Sequence, residues 1–223
     1  MDSWQNENNE WDDIMQLVDR FNKMLSHDKQ AYFDTDEFES LIDFFIAHFA
    51  YSKCEQVIDY AIKQYPNNIS FLLRKASIYS ITSRENQAIN LLKRIEKIDT
   101  KNPDIYSTKA SAFSSLGQYQ SAVNEYNKAL KFTDCDIDKS EIYIYLADAY
   151  HFLKDNDSAY DNLMNAILLN PDNDFAVTKL LLICEADNDF VPAIEVMKDF
   201  IDEHPYSQVA WYGLGRMYMD IYS

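Results

Sequence analysis

The sequence predicts an all-α protein, a solenoid of stacked helical hairpins, on three observations. Apolar residues recur at three- and four-residue intervals through nearly the whole chain, the period of an amphipathic helix. The same slots then refill about every 34 residues, which marks a repeat array rather than one globular core. Only three glycines and five prolines occur among 223 residues, too little turn chemistry for a sheet protein.

Composition narrows the class of function. A hydrophobic fraction of 47% is enough to bury a sizeable core. The formal net charge of −17 repels phosphate backbones and sets the electrostatic term against nucleic-acid binding. The same charge admits a basic partner, or serves as a solvated acidic surface that keeps an array soluble. The first residues, Met1-Asp2-Ser3-Trp4-Gln5-Asn6-Glu7, carry neither a basic stretch nor a following apolar run, so no secretory signal is expected. No apolar run is long enough to span a membrane. Cys54, Cys135 and Cys184 are odd in number and widely spaced, which reads as reduced, mostly buried thiols in a cytoplasmic protein.

Residues 1–34 read as a loose N-terminus followed by a capping helix. The Asn- and Glu-rich residues 1–11 are expected to be loose. Ile14, Leu17, Val18, Phe21, Met24 and Leu25 then place one apolar stripe on a helix over about Asp12 to Lys29. Repeats are expected over 35–68, 69–102 and 103–136, and again over 140–173 and 174–207. Three extra residues, Ile137 to Lys139, break the phase at an acidic loop. Pro66, Pro171 and Pro205 share the closing slot. A large slot in each first helix holds Phe38, Leu72, Tyr106, Tyr143, Val177 and Trp211. A small slot in each second helix holds Cys54, Ala88, Ala122, Ala159 and Ala193, where neighbouring helices must approach. Asp34 with Glu37 fits a capping box, Gly117 suits a left-handed turn between helices, and Pro192 suits a helix start.

Residues 208–223 form the first helix of a sixth repeat. Trp211, Leu214, Gly215 and Tyr218 there make a Trp-x2-Leu-Gly-x2-Tyr pattern. With the 34-residue period, this resembles the tetratricopeptide repeat family. The resemblance implies a right-handed superhelix whose first helices line a concave groove for a peptide or helix of a partner protein. The groove slots that it points to are Asp36, Glu39 and Asp43, then Arg74 and Ser77, then Ser107 and Ser111. They continue with Ile144, Tyr145, Asp148 and His151, and with Phe175, Thr178 and Lys179. One subclass of the family clamps an anionic tail with two lysines, an arginine and two asparagines. That set is missing here, and Arg74 stands nearly alone among Asp36, Glu39 and Asp43. The expected partner is therefore a protein segment that is basic near the first repeat and apolar or aromatic near Tyr145 and Phe175.

Charge is uneven along the chain, with a net of +4 over residues 69–102 and of −11 over 140–207. Such polarity orients a partner or is a solvated outer face. Catalysis finds no support. The histidines 27, 48, 151 and 204 have no zinc-ligand spacing, His151 beside Asp148 is an ordinary surface pair, and three glycines cannot build a phosphate loop. No metal and no cofactor is expected. The function expected is a non-enzymatic scaffold or adaptor. The alternative is the targeting or regulatory part of a larger protein with a catalytic or signalling domain beyond residue 223. The apolar last half-repeat is expected to belong to a longer chain, to cap imperfectly, or to be covered by a second copy.

Overall fold

The computed structural model describes residues 3–27, 31–171, 173–187 and 189–221. Among them are twelve helices and no strand. They are α1 (Ser3–His27), α2 (Thr35–Ala47), α3 (Tyr51–Gln64), α4 (Ile69–Ile81), α5 (Glu85–Ile95) and α6 (Pro103–Ser115). They continue with α7 (Tyr119–Phe132), α8 (Asp136–Phe152), α9 (Asn156–Leu169), α10 (Asp174–Asp187), α11 (Val191–Glu203) and α12 (Gln208–Ile221). The chain forms two compact units, Met1–Leu91 and Leu92–Ser223, with the division inside α5.

Helix starts follow local chemistry. Asp34 caps α2: its side chain accepts from the Glu37 amide at 2.8 Å, and the Glu37 carboxylate accepts from the Asp34 amide at 3.0 Å. Asn68 and Asn102 cap α4 and α6 with a single bond each, their side-chain oxygens accepting from the amides of Ser70 and Asp104. The turns joining first to second helices place Phe49, Ser83, Gly117 and Lys154 at φ of 55°, 58°, 70° and 66°. These positions recur with the spacing of the repeat, lengthened once by the three-residue insertion. Only Gly117 adopts this backbone without steric cost; each of the others strains the turn by roughly 1 kcal/mol.

In the first unit, aromatic rings form the centre. Phe33 meets Phe38 at 5.4 Å between centroids, Phe38 meets Phe71 at 5.9 Å, and Phe21 meets Phe33 at 5.8 Å. Leu41, Ile42, Val57, Ile58 and Ala61 close around them. The segment carrying Phe33 is pinned by its carbonyl, which accepts from the Gln64 side-chain amide and, at 3.0 Å, from Tyr65 Oη. In the second unit, Tyr106, Val123, Tyr126, Ile142 and Leu146 make one cluster, and Leu163, Leu180, Met197, Phe200 and Met217 belong to another. The small slot behaves as its role requires: Cys54, Ala88, Ala122, Ala159 and Ala193 are all buried.

Four details depart from expectation. Helix α1 begins at Ser3, not near Asp12. Residues 3–11 contain no proline or glycine, so a helix docked from its later turns propagates back through them at little cost. Its expected end at Lys29 lies outside the described residues. The inserted residues Ile137 to Lys139 are not loop but helix, and they lengthen α8 to 17 residues against 13 in α6. In the second repeat Phe71 is fully buried while Leu72 is only half-buried, a one-residue shift that seats the larger ring in the core. Trp211 is 53% exposed; its indole N–H donates to the Pro205 carbonyl at 2.9 Å, while Leu214 and Met217 carry the packing of α12.

The three thiols are free and divide by burial. Loss of hydration pushes Cys54 and Cys184 up to about 11, whereas Cys135 is exposed. Titration of the native protein with a thiol-reactive disulfide is expected to modify one cysteine per chain promptly, and all three only after unfolding.

Candidate functional site

The predicted groove residues lie on the first helices of their hairpins, and the structure ties them together within each unit. On α2 and α4, Glu39 accepts from Ser70 Oγ at 2.6 Å and from Arg74 Nε at 3.0 Å, while Arg74 Nη2 lies 3.0 Å from Asp43. Arg74 is therefore not a lone cation facing open carboxylates. It is clamped between two of them, and Asp36 stays exposed at the start of α2. Ser77 Oγ donates to the Leu73 carbonyl of its own helix at 3.2 Å.

In the second unit α8 and α10 repeat the device. Lys179 Nζ lies 2.8 and 2.9 Å from the two Asp148 carboxylate oxygens and 5.4 Å from the centre of the Phe175 ring. His151 Nδ1 lies 3.2 Å from Asn156 Oδ1, in an orientation set by the ring tautomer. Thr178 Oγ1 donates to the Asp174 carbonyl at 2.8 Å. Tyr145, 49% exposed, is stacked at 5.8 Å on Tyr126, and Phe175 is 51% exposed. Ile144, expected beside Tyr145 on the groove, is instead 3% exposed and belongs to the core. Its place on α8 turns it toward α9 and α10. Ser111 is exposed on α6, and Ser107 borders a cavity with α8.

The pairs Glu39–Ser70, Asp43–Arg74, Asp148–Lys179 and Glu185–Arg216 share one spacing, 31 residues. Equivalent residues of neighbouring repeats stand 34 apart, so a first-helix side chain meets its neighbour almost one turn before the equivalent position. Three of these pairs are opposite charges, and that combination of charge and spacing is a signal present in the sequence.

A second feature escaped sequence reasoning. Lys109 on α6 is 3% exposed, with Nζ at 2.5 Å from Glu96 and 2.9 Å from Glu125. Lys128 pairs with Glu125 at 2.9 Å, and both ammonium groups lie near the Tyr106 ring, at 5.4 and 5.7 Å. The network ties α6 to α7 and to the turn after α5.

Two recesses lie on first-helix faces. One of about 160 Å³ sits between the starts of α6 and α8. A wider one of about 440 Å³ is lined by Val177 and Thr178 of α10 and by Gln208, Val209 and Tyr212 of α12. Among the described residues no group of histidine, cysteine, aspartate and glutamate could hold a metal ion. No helix among them is long and apolar enough to cross a membrane. The first-helix faces of the second unit thus carry half-exposed aromatic rings beside an ordered ion pair.

Comparison with known proteins bears on the fold. Residues 103–133 and 140–173 match the tetratricopeptide repeat family. The BBSome complex member BBS4 of Bos taurus is 25% identical over 172 residues, which cover 77% of this chain and 32% of that protein. The chain thus spans about a third of the length of this relative. A crystal structure of MamA superposes with a TM-score of 0.58 at 18% identity, over 85% of this chain and 96% of the other. A thermophilic tetratricopeptide protein of Thermus thermophilus gives 0.60 at 15% identity, over 80% and 96%. Likeness at these identities concerns the fold alone.

Proposed function

We propose that this chain, a tetratricopeptide-repeat protein, is a non-enzymatic scaffold that binds a segment of a partner protein along its first-helix faces. One observation carries the reading: half-exposed Tyr145 and Phe175 flank the Asp148–Lys179 bridge, aromatic anchors beside charges already held in place. Such anchors bury large area at small entropic cost on binding. The face built from Asp36, Glu39, Asp43, Arg74 and Ser77 carries three carboxylates against one guanidinium, which favours a basic stretch of the partner there. Ser107, Ser111, His151 and Thr178 would border a segment bound on the first helices of the second unit. Three free cysteines, two of them buried, favour a reducing compartment, and we place the protein in the cytoplasm. The exposed Trp211, Tyr212 and Met219 of α12 offer a face to a second copy. A second reading, the repeat portion of a larger protein, draws on the greater length of the BBS4 relative.

The test uses the partner that copurifies from the native cell. Tyr145→Ala with Phe175→Ala is expected to weaken its binding at least tenfold, since each anchor is worth on the order of 1 kcal/mol or more. Charge reversal of Asp36, Glu39 and Asp43 to lysine should weaken a basic partner comparably. Leu168→Ala, on an exposed second-helix position, should change nothing. Unchanged affinity in both first-helix variants would refute the reading.

A further inference from the structure

The recess between α6 and α8 lies where the repeat is interrupted. The insertion of Ile137 to Lys139 adds a turn to the start of α8, and Asp138 on that turn forms one wall. Asp138, Glu141, Ile142 and Tyr145 follow at helical spacing down a single stripe of α8. Pro103, Asp104 and Ser107 make the facing stripe of α6, and the buried Thr133 closes the floor. The Tyr145 ring cannot swing away freely, because Tyr126 is stacked behind it with an interplanar angle of 13°.

Among the described residues, three carboxylates and no lysine or arginine line this space. Helix N-termini favour acidic residues, which accounts for Asp104 and Asp138. It does not account for Glu141, which stands beyond the first turn of α8, nor for a half-exposed tyrosine ring beside it. The nearest basic residue of the added turn, Lys139, is turned toward Asp136 at 3.5 Å. Two acidic residues elsewhere on these faces have cationic partners, Asp148 with Lys179 and Asp43 with Arg74, whereas Asp36 is exposed. The recess is thus shaped and charged for a cation that the chain itself does not supply.

We propose that this recess takes an arginine side chain of the partner segment, with its guanidinium on the Tyr145 ring and its N–H groups donating to Asp138 and Glu141. Arginine fits better than lysine, because a planar guanidinium stacks on an aromatic face while donating in its own plane. The volume of about 160 Å³ admits one long side chain and not a helix. This inference rests on the proposed first-helix binding face and names what one point on it recognises.

The full chain, labelled with nitrogen-15, is titrated with N-acetyl-arginine amide and, separately, with the neutral isostere N-acetyl-citrulline amide. Saturable shifts confined to the amides around Ser107, Glu141 and Tyr145 are expected with arginine and not with citrulline. Asp138→Asn with Glu141→Gln should weaken that association at least fivefold, and Tyr145→Ala at least threefold, while Asp157→Asn with Asp161→Asn leaves it unchanged. Equal response to citrulline, shifts spread without saturation over the acidic surface, or indifference to the Asp138 and Glu141 changes would overturn the proposal. Failure here is separable from failure of the binding face. If the probe does not bind while the Tyr145 and Phe175 changes still release the native partner, the face stands and the arginine pocket falls. If the probe binds and those changes release nothing, the face falls.

Discussion

Replacing Lys109 by alanine is expected to destabilise the second unit by about 3 kcal/mol, because it leaves buried carboxylate charge without its partner. The ammonium group is all but excluded from water and lies 2.5 Å from Glu96 and 2.9 Å from Glu125. Glu96 is a quarter exposed and can rehydrate. Glu125, at 12%, cannot, and Lys128 alone must then balance it. These two escapes keep the loss at the low end for a broken buried pair. Removing the charges together, by Lys109→Met with Glu96→Gln and Glu125→Gln, should recover much of the loss, since desolvation no longer has to be offset. Urea unfolding of the three proteins checks this. A loss below about 1 kcal/mol for Lys109→Ala would mean that the network is solvated and holds nothing.

The two glycines of α12 should respond to alanine with opposite signs. A Cβ at Gly213 would stand 2.5 Å from Val177 Cγ1, closer than real carbon atoms approach, so α12 must shift away from α10 or Val177 must leave its rotamer. Overpacking of this kind costs about 1–3 kcal/mol. A Cβ at Gly215 meets nothing within 4 Å, and that residue is exposed within the helix. Alanine there should stabilise by about 0.5–1 kcal/mol through helix propensity and the lost freedom of the unfolded chain. Thermal unfolding should therefore separate the two variants clearly, with Gly213→Ala the less stable. A lower melting temperature for Gly215→Ala than for Gly213→Ala would place the close contact at the wrong glycine.

That contrast also shows what the sequence conceals. The Trp-x2-Leu-Gly-x2-Tyr pattern draws attention to Gly215, yet the backbone approach occurs at Gly213, a position that only the neighbouring Val177 makes special. The small slot of the second helices was legible, because only small residues fill a helix contact and the same size recurs five times. Phe71 was not. It stands next to Leu72, either could face inward, and the choice belongs to the rings of Phe38 and Tyr65 from other segments. Lys109 reads as a surface residue by type, and its burial follows from two glutamates, Glu125 of α7 and Glu96 of the turn after α5. Three first-helix bridges, Asp43–Arg74, Asp148–Lys179 and Glu185–Arg216, lay in the sequence at a spacing of 31 residues, but the offset between parallel helices is needed to recognise them. The acidic insertion read as a loop because its carboxylates suggest solvent; at a helix start the same residues favour the first turn.

The account turns on where the partner lies, and photocrosslinking in the native cell tests this most directly. Benzoylphenylalanine placed at Asp36, Tyr145 or Phe175 reports from first helices, and at Gln56 or Leu168 from second helices. The account predicts one shared adduct from the first-helix positions and none from the others. Adducts from Gln56 and Leu168 alone would contradict it, and would move recognition to the second-helix faces.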